Sequence, residues 1–358
     1  MARFAGKIAL PLLALLISSG AVLYGQAAPP APPAGNAATN RFSPMQNRPL
    51  PNTALGQKAA LLASLAPRVA KMPDFPGNGP FPATYAMAPN GMEDVVYQPK
   101  DLAGAESKGK LGVYVWGNGG CSPDAASSRF HLAEIASHGY VVIAPGKILS
   151  GPKAPPRTEG DHAAAGMPPS ANGATAEKMI AGLDWILAEN QRQGSPYFGA
   201  IDTRRIAVAG FSCGGLIALK AAFDPRVTAT LIESSGILTS PPPGMMAMIP
   251  QMAELKKADL AKLNTPVIYI LGGPEDIAEK NGLDDFDHID NVPVFVADEP
   301  GEGHGGPIAM PNAPGTEIEV EWLDWQFNHD PLAARVFVGP DCVLCRDERF
   351  QVHSKHIE

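Results

Sequence analysis

Apolar positions along the chain come in two alternating textures. Short unbroken runs at 95–97, 110–116, 140–144, 206–209, 228–233, 266–271 and 292–296 read as strands, most of them apolar on both faces. Stretches with helical spacing lie at 130–137, 175–191, 216–223 and 318–327. In the second of these, Ile180, Leu183, Ile186 and Leu187 mark one face. Gly139 closes the first as a C-cap glycine. Strands buried on both faces and separated by helices predict a mostly parallel sheet between helical layers, an α/β architecture.

The pattern is different outside that region and at two places within it. Residues 1–27 read as a secretory signal, with Arg3 and Lys7 ahead of an apolar run at 8–24 and a small-x-small site at Gly25, Gln26 and Ala27. That run is at the short end for a membrane span and contains Pro11. Residues 28–53 form a Pro/Ala-rich tether without periodicity, and 54–66 predict a leading helix stopped by Pro67. The folded domain is expected over 54–330 with its core at 94–328, followed by a tail at 331–358. Two insertions interrupt the alternation at 147–174 and 239–264. The second carries Met245, Met246, Met248 and Met252, which read equally as core filler or as an adaptable apolar wall for a substrate.

Composition narrows the possible partners. The chain has 358 residues, 45% hydrophobic and 18% charged, enough for one large core. Removing Arg3 and Lys7 from the 28 basic side chains leaves 26 against 36 acidic ones. So acidic a balance argues against nucleic acid or an anionic membrane surface as a partner. Four cysteines, Cys121, Cys213, Cys342 and Cys345, allow two disulfides in an exported chain.

The candidate chemistry starts at Gly210, Phe211, Ser212, Cys213 and Gly214, a G-x-S-x-G pattern between a buried strand and a helix-like run. A nucleophile on so tight a turn needs neighbours without side chains, and Gly210, Gly214 and Gly215 supply them. The helix that follows turns its N–H groups and positive dipole end toward the turn.

This pattern, the segment from Val113 to Gly120 and the segment from His138 to Pro145 resemble an α/β-hydrolase over roughly residues 94–328. The nearest likeness is to secreted esterases: dienelactone-hydrolase-like, chlorophyllase-like and polyester-hydrolase-like enzymes. The resemblance implies one domain with helices on both sheet faces, small insertions rather than a large cap, and the chain order Ser, acid, His. It assigns Ser212 as nucleophile, Asp276 at a strand end as acid and His304 in a glycine-rich loop as base. Glu275 and Glu233 are the alternative acids, and Asp276 could otherwise serve as a helix N-cap. The oxyanion donors it implies are the N–H groups of Cys213 and Gly120. The same likeness makes the Cys121 and Cys213 loops neighbours, as a disulfide or as two small buried residues.

The implied activity is carboxylic-ester hydrolysis without cofactor or metal. Trp116, Phe211 and the methionines are expected to line the substrate pocket. Peptide or amide cleavage by the same triad is the rival reading within enzymes, and a non-catalytic binding protein on this fold is the rival outside them. The other histidines of the domain, His131, His138, His162, His288 and His329, are expected at the surface. Cys342 and Cys345, with His353 and His356, hint at zinc, but a local disulfide is the simpler reading.

Overall fold

The computed structural model of the chain describes residues 69, 71–89, 92–156, 173–239, 250 and 254–358. The expected signal, tether and leading helix lie outside the described residues, as do His162 and Met245, Met246, Met248 and Met252. The architecture is mixed α/β. Its nine-stranded sheet comprises β1 (Ala83–Met87), β2 (Asp94–Pro99), β3 (Leu111–Gly117), β4 (Tyr140–Pro145), β5 (Ile201–Phe211), β6 (Ala229–Glu233), β7 (Val267–Leu271), β8 (Val294–Asp298) and β9 (Gln351–Lys355). Their spatial order is β1-β2-β4-β3-β5-β6-β7-β8-β9. Strands β3 to β8 pair in parallel, while β1, β2 and β9 join at the margins through antiparallel pairings.

The helices are α1 (Leu102–Glu106), α2 (Arg129–Ser137), α3 (Ala176–Gln191), α4 (Cys213–Ala221), α5 (Glu279–His288), α6 (Pro314–Asn328), α7 (Pro331–Phe337) and α8 (Val343–Arg346). Strands β3, β4, β6, β7 and β8 are buried throughout because helices cover both faces. The two-residue alternation of a strand divides β3 between the layers. Val113 and Val115 pack with Leu183, Leu216 and Phe286 of α3, α4 and α5. Tyr114 and Trp116 pack with Leu132, Trp322 and Phe337 of α2, α6 and α7.

The sheet extends beyond the expected core at both ends. Strand β1 precedes residue 94, and β9 lies far beyond residue 328. Both are margin strands that alternate or expose their side chains, so neither has the unbroken apolar run of a central strand. The tail is part of the same body: Phe337, Cys342, Leu344 and Phe350 are buried in the core. Lys355 Nζ donates to the main-chain oxygens of Phe286 and Ile289, fixing the end of β9 to α5. Helix α5 itself follows directly on Asp276 and lacks a run of apolar residues, so the apolar pattern did not predict it. Among the described residues no helix is long and apolar enough to cross a membrane.

Candidate active site

Strand β5 ends at Phe211 and helix α4 begins at Cys213, leaving Ser212 alone to turn the chain. Its φ of 56° and ψ of −122° are costly for a residue with a side chain, so surrounding contacts must impose them. Those contacts are present. Ser212 N–H donates to the Glu233 oxygen at 2.9 Å, and the Ser212 oxygen accepts from Gly215 N–H at 2.9 Å and Ser235 Oγ at 2.6 Å. A Cβ on Gly214 would overlap the Gly117 carbonyl, and one on Gly210 would overlap Gly214. Glycine is required here for close approach of three backbone segments.

His304 joins this turn to a buried carboxylate. Its Nε2 lies 2.9 Å from Ser212 Oγ, and its Nδ1 lies 2.7 Å from Asp276 Oδ1. Asp276 follows β7 through a 3-10 turn at Gly273–Glu275, and its side chain is fully buried. Burial pushes this carboxyl up, but His304, the Ala278 N–H and the Ser234 hydroxyl outweigh it and hold it below the usual range. An ionised Asp276 can only accept, so the ring proton sits on Nδ1 and Nε2 is left to accept from Ser212. His304 is a quarter exposed, at 26%. Its loop is pinned on both sides: Gly303 N–H donates to Gly272 O at 2.8 Å and Gly305 N–H to Ser234 Oγ at 3.0 Å. Glu275 instead accepts from Gly301 N–H, and the Glu233 side chain is buried beside His131.

The strand-end loop after β3 lies against the elbow. Gly119–Cys121 forms a 3-10 turn in which Cys121 N–H donates to Asn118 O, and Gly120 has a φ of 63°. Asn118 Nδ2 anchors the loop to the Pro145 oxygen at the end of β4. Cys121 and Cys213 are disulfide-bonded, with their Cα atoms 5.2 Å apart. The first residues of a helix have N–H groups with no acceptor inside it, and Cys213 occupies that position in α4. The disulfide therefore ties the Gly120 loop directly to the helix end behind Ser212.

Other expectations meet different outcomes. Phe211 lies beside the His304 imidazole, ring centroids 4.9 Å apart. Trp116 is fully buried, 4.9 Å from the His131 ring, and takes its place in the core rather than on an open wall. His131 is likewise buried instead of exposed, because every residue of α2 is covered. His138 is part-buried and bonded to Glu134, whereas His288 and His329 lie at the surface. Cys342 and Cys345 form a second disulfide, which leaves no thiolate for a metal in the tail. Ser234 and Ser235, which the sequence pattern did not single out, hold the His304 loop, Asp276 and Ser212. Their signal was a pair of hydroxyls just past the end of the strand next to the elbow. No family model matches the chain, and a search of curated proteins returns no match.

Proposed function

We propose that the chain is a serine hydrolase that cleaves carboxylic esters, an exported member of the α/β-hydrolases. The observation that carries this reading is His304, whose two ring nitrogens reach Ser212 Oγ at 2.9 Å and Asp276 at 2.7 Å. A serine hydroxyl is a poor nucleophile until a base takes its proton, and the base must be oriented by an acid. In the proposed reaction Ser212 Oγ attacks the acyl carbon while its proton passes to His304 Nε2. Asp276 stabilises the imidazolium that results. The proton then goes to the leaving alkoxide as the acyl–oxygen bond breaks, giving an acyl-enzyme. Water repeats the sequence and releases the carboxylic acid, restoring Ser212.

Negative charge on the carbonyl oxygen would be met by the N–H groups of Cys213 and Gly120, an arrangement in which each donor is worth roughly 10²–10³ in rate. The Cys121–Cys213 disulfide supports this role by fixing the two donor segments to each other. Both disulfides also fit an extracellular setting. The test is hydrolysis of a p-nitrophenyl ester series, acetate to palmitate, by the parent and by Ser212→Ala. Turnover lost in the variant supports the proposal. Equal rates for both proteins, or no turnover of any ester, reject it.

A further inference from the structure

Beneath the elbow lies a polar cluster that the triad chemistry does not use. His131 of α2, Glu233 at the end of β6 and Glu319 of α6 meet around the hydroxyl of Tyr114 from β3. All four are at most 1% exposed. Their facing atoms form a compact set. Tyr114 Oη is 2.7 Å from Glu319 Oε2, 3.1 Å from His131 Nε2 and 3.5 Å from Glu233 Oε1. His131 Nε2 is 3.5 Å from Glu233 Oε1 and 3.7 Å from Glu319 Oε2.

The donors and acceptors in this cluster do not balance. Two carboxylates offer four acceptor oxygens, and only the Tyr114 O–H and one imidazole N–H face them. Glu233 Oε2 and Glu319 Oε1 receive no hydrogen bond from the described residues, and no Lys or Arg among those residues pairs with either acid. Two uncompensated charges cannot be buried side by side, so either a proton shared by the two acids or a cation bound between them has to neutralise the pair.

The geometry points to a buried zinc-type divalent cation held by His131, Glu233 and Glu319, with the Tyr114 oxygen as fourth ligand. Four ligands at roughly 2.0–2.2 Å in a tetrahedron stand about 3.3–3.6 Å from one another, and the five separations above straddle that range. One nitrogen and three oxygens suit zinc, whereas calcium takes six to eight oxygens and magnesium keeps its waters. His131 Nδ1 bonds Thr316 Oγ1 at 2.9 Å, the outer contact that orients a metal-binding imidazole. Two carboxylates neutralise the ion. The role is structural: the ion joins α2, α6, β3 and the end of β6, where the Glu233 main-chain oxygen holds the Ser212 N–H.

The test is elemental analysis of the full, tag-free chain with both disulfides intact, grown with zinc and purified without chelator. About one zinc per chain is expected, and none in Glu233→Gln/Glu319→Gln, which should also melt at a lower temperature. A second arm unfolds the parent in chelator and refolds it with or without zinc. Zinc should be taken up again and raise the melting temperature. Glutamine mimics a protonated carboxyl, which makes the variant decisive. Zinc absent from the parent in both arms, with the glutamine pair at least as stable, would mean that protons hold the two acids and would overturn the inference. Equal zinc in parent and variant places the ion elsewhere and also overturns it.

Discussion

The hydroxyl of Ser235 donates a 2.6 Å hydrogen bond to the carbonyl oxygen of Ser212, gripping the strained residue from the neighbouring strand end. A part-buried bond of this kind contributes about 1 kcal/mol, and losing it frees a backbone that must stay at positive φ. Ser235→Ala is predicted to lower kcat roughly 5- to 10-fold with little change in KM. A fall confined to KM would show that Ser235 touches substrate instead.

Asp276 stays ionised because His304, Ala278 and Ser234 outweigh its burial. Asp276→Asn keeps the shape but presents an amide to Nδ1, favouring the wrong tautomer. On the proposed mechanism, kcat for ester substrates is expected to drop about 10⁴-fold with the fold retained. Near-normal turnover in a folded variant would move the acid's role to another carboxylate.

The Cys121–Cys213 disulfide closes a loop across a sequence separation of 92. Chain entropy gives a bridge of that span about 4.6 kcal/mol as an upper figure, with about 2–4 typical. Cys121→Ala/Cys213→Ala should melt well below the parent and lose about tenfold in kcat, because the donor loop is no longer tied to α4. Unchanged kcat in a folded double variant would mean that packing alone positions the loop.

Asp298 accepts a 2.6 Å bond from Gly273 N–H, and burial first, then Glu279 nearby, pushes its carboxyl up to about 7. The folded chain therefore keeps a proton that the unfolded chain gives up near its ordinary value of 3.8. The contribution is complete below that value and is lost as pH rises through about 7. Asp298→Asn retains the acceptor and removes the titration. Relative to the parent it should gain on the order of 2 kcal/mol between pH 5 and 8 in urea melts. A difference that stays flat with pH would contradict this.

Strand β9 covers the edge of β8. Deleting residues 341–358 uncovers that edge and the partners of Phe350 in the core. The truncated chain is expected to aggregate and to melt earlier, as read by light scattering and calorimetry. A monomeric, equally stable truncation would show that β9 is dispensable.

These outcomes also indicate where the sequence was informative. Central strands were legible because burial on both faces leaves apolar runs, as at Val267 to Leu271. The elbow was legible because close backbone approach leaves glycines at Gly210 and Gly214. The margins were not, because Gln351–Lys355 pairs through its backbone and is largely polar, with no side chain fully buried. The burial of His131 was hidden because it depends on β6 and α6, whose Glu233 and Glu319 lie far away in the chain. Ser234 and Ser235 were missed for a similar reason: only the packing of β6 beside β5 brings them to Ser212, Asp276 and the His304 loop.

The account stands on Ser212 as an activated nucleophile, and covalent trapping tests that most directly. The chain would be treated with a fluorophosphonate, digested and mapped by mass spectrometry. About one phosphonyl group per chain is predicted, on the peptide carrying Ser212, and none in Ser212→Ala or after unfolding. A folded protein that takes no label, or takes it on a different serine, would contradict the account.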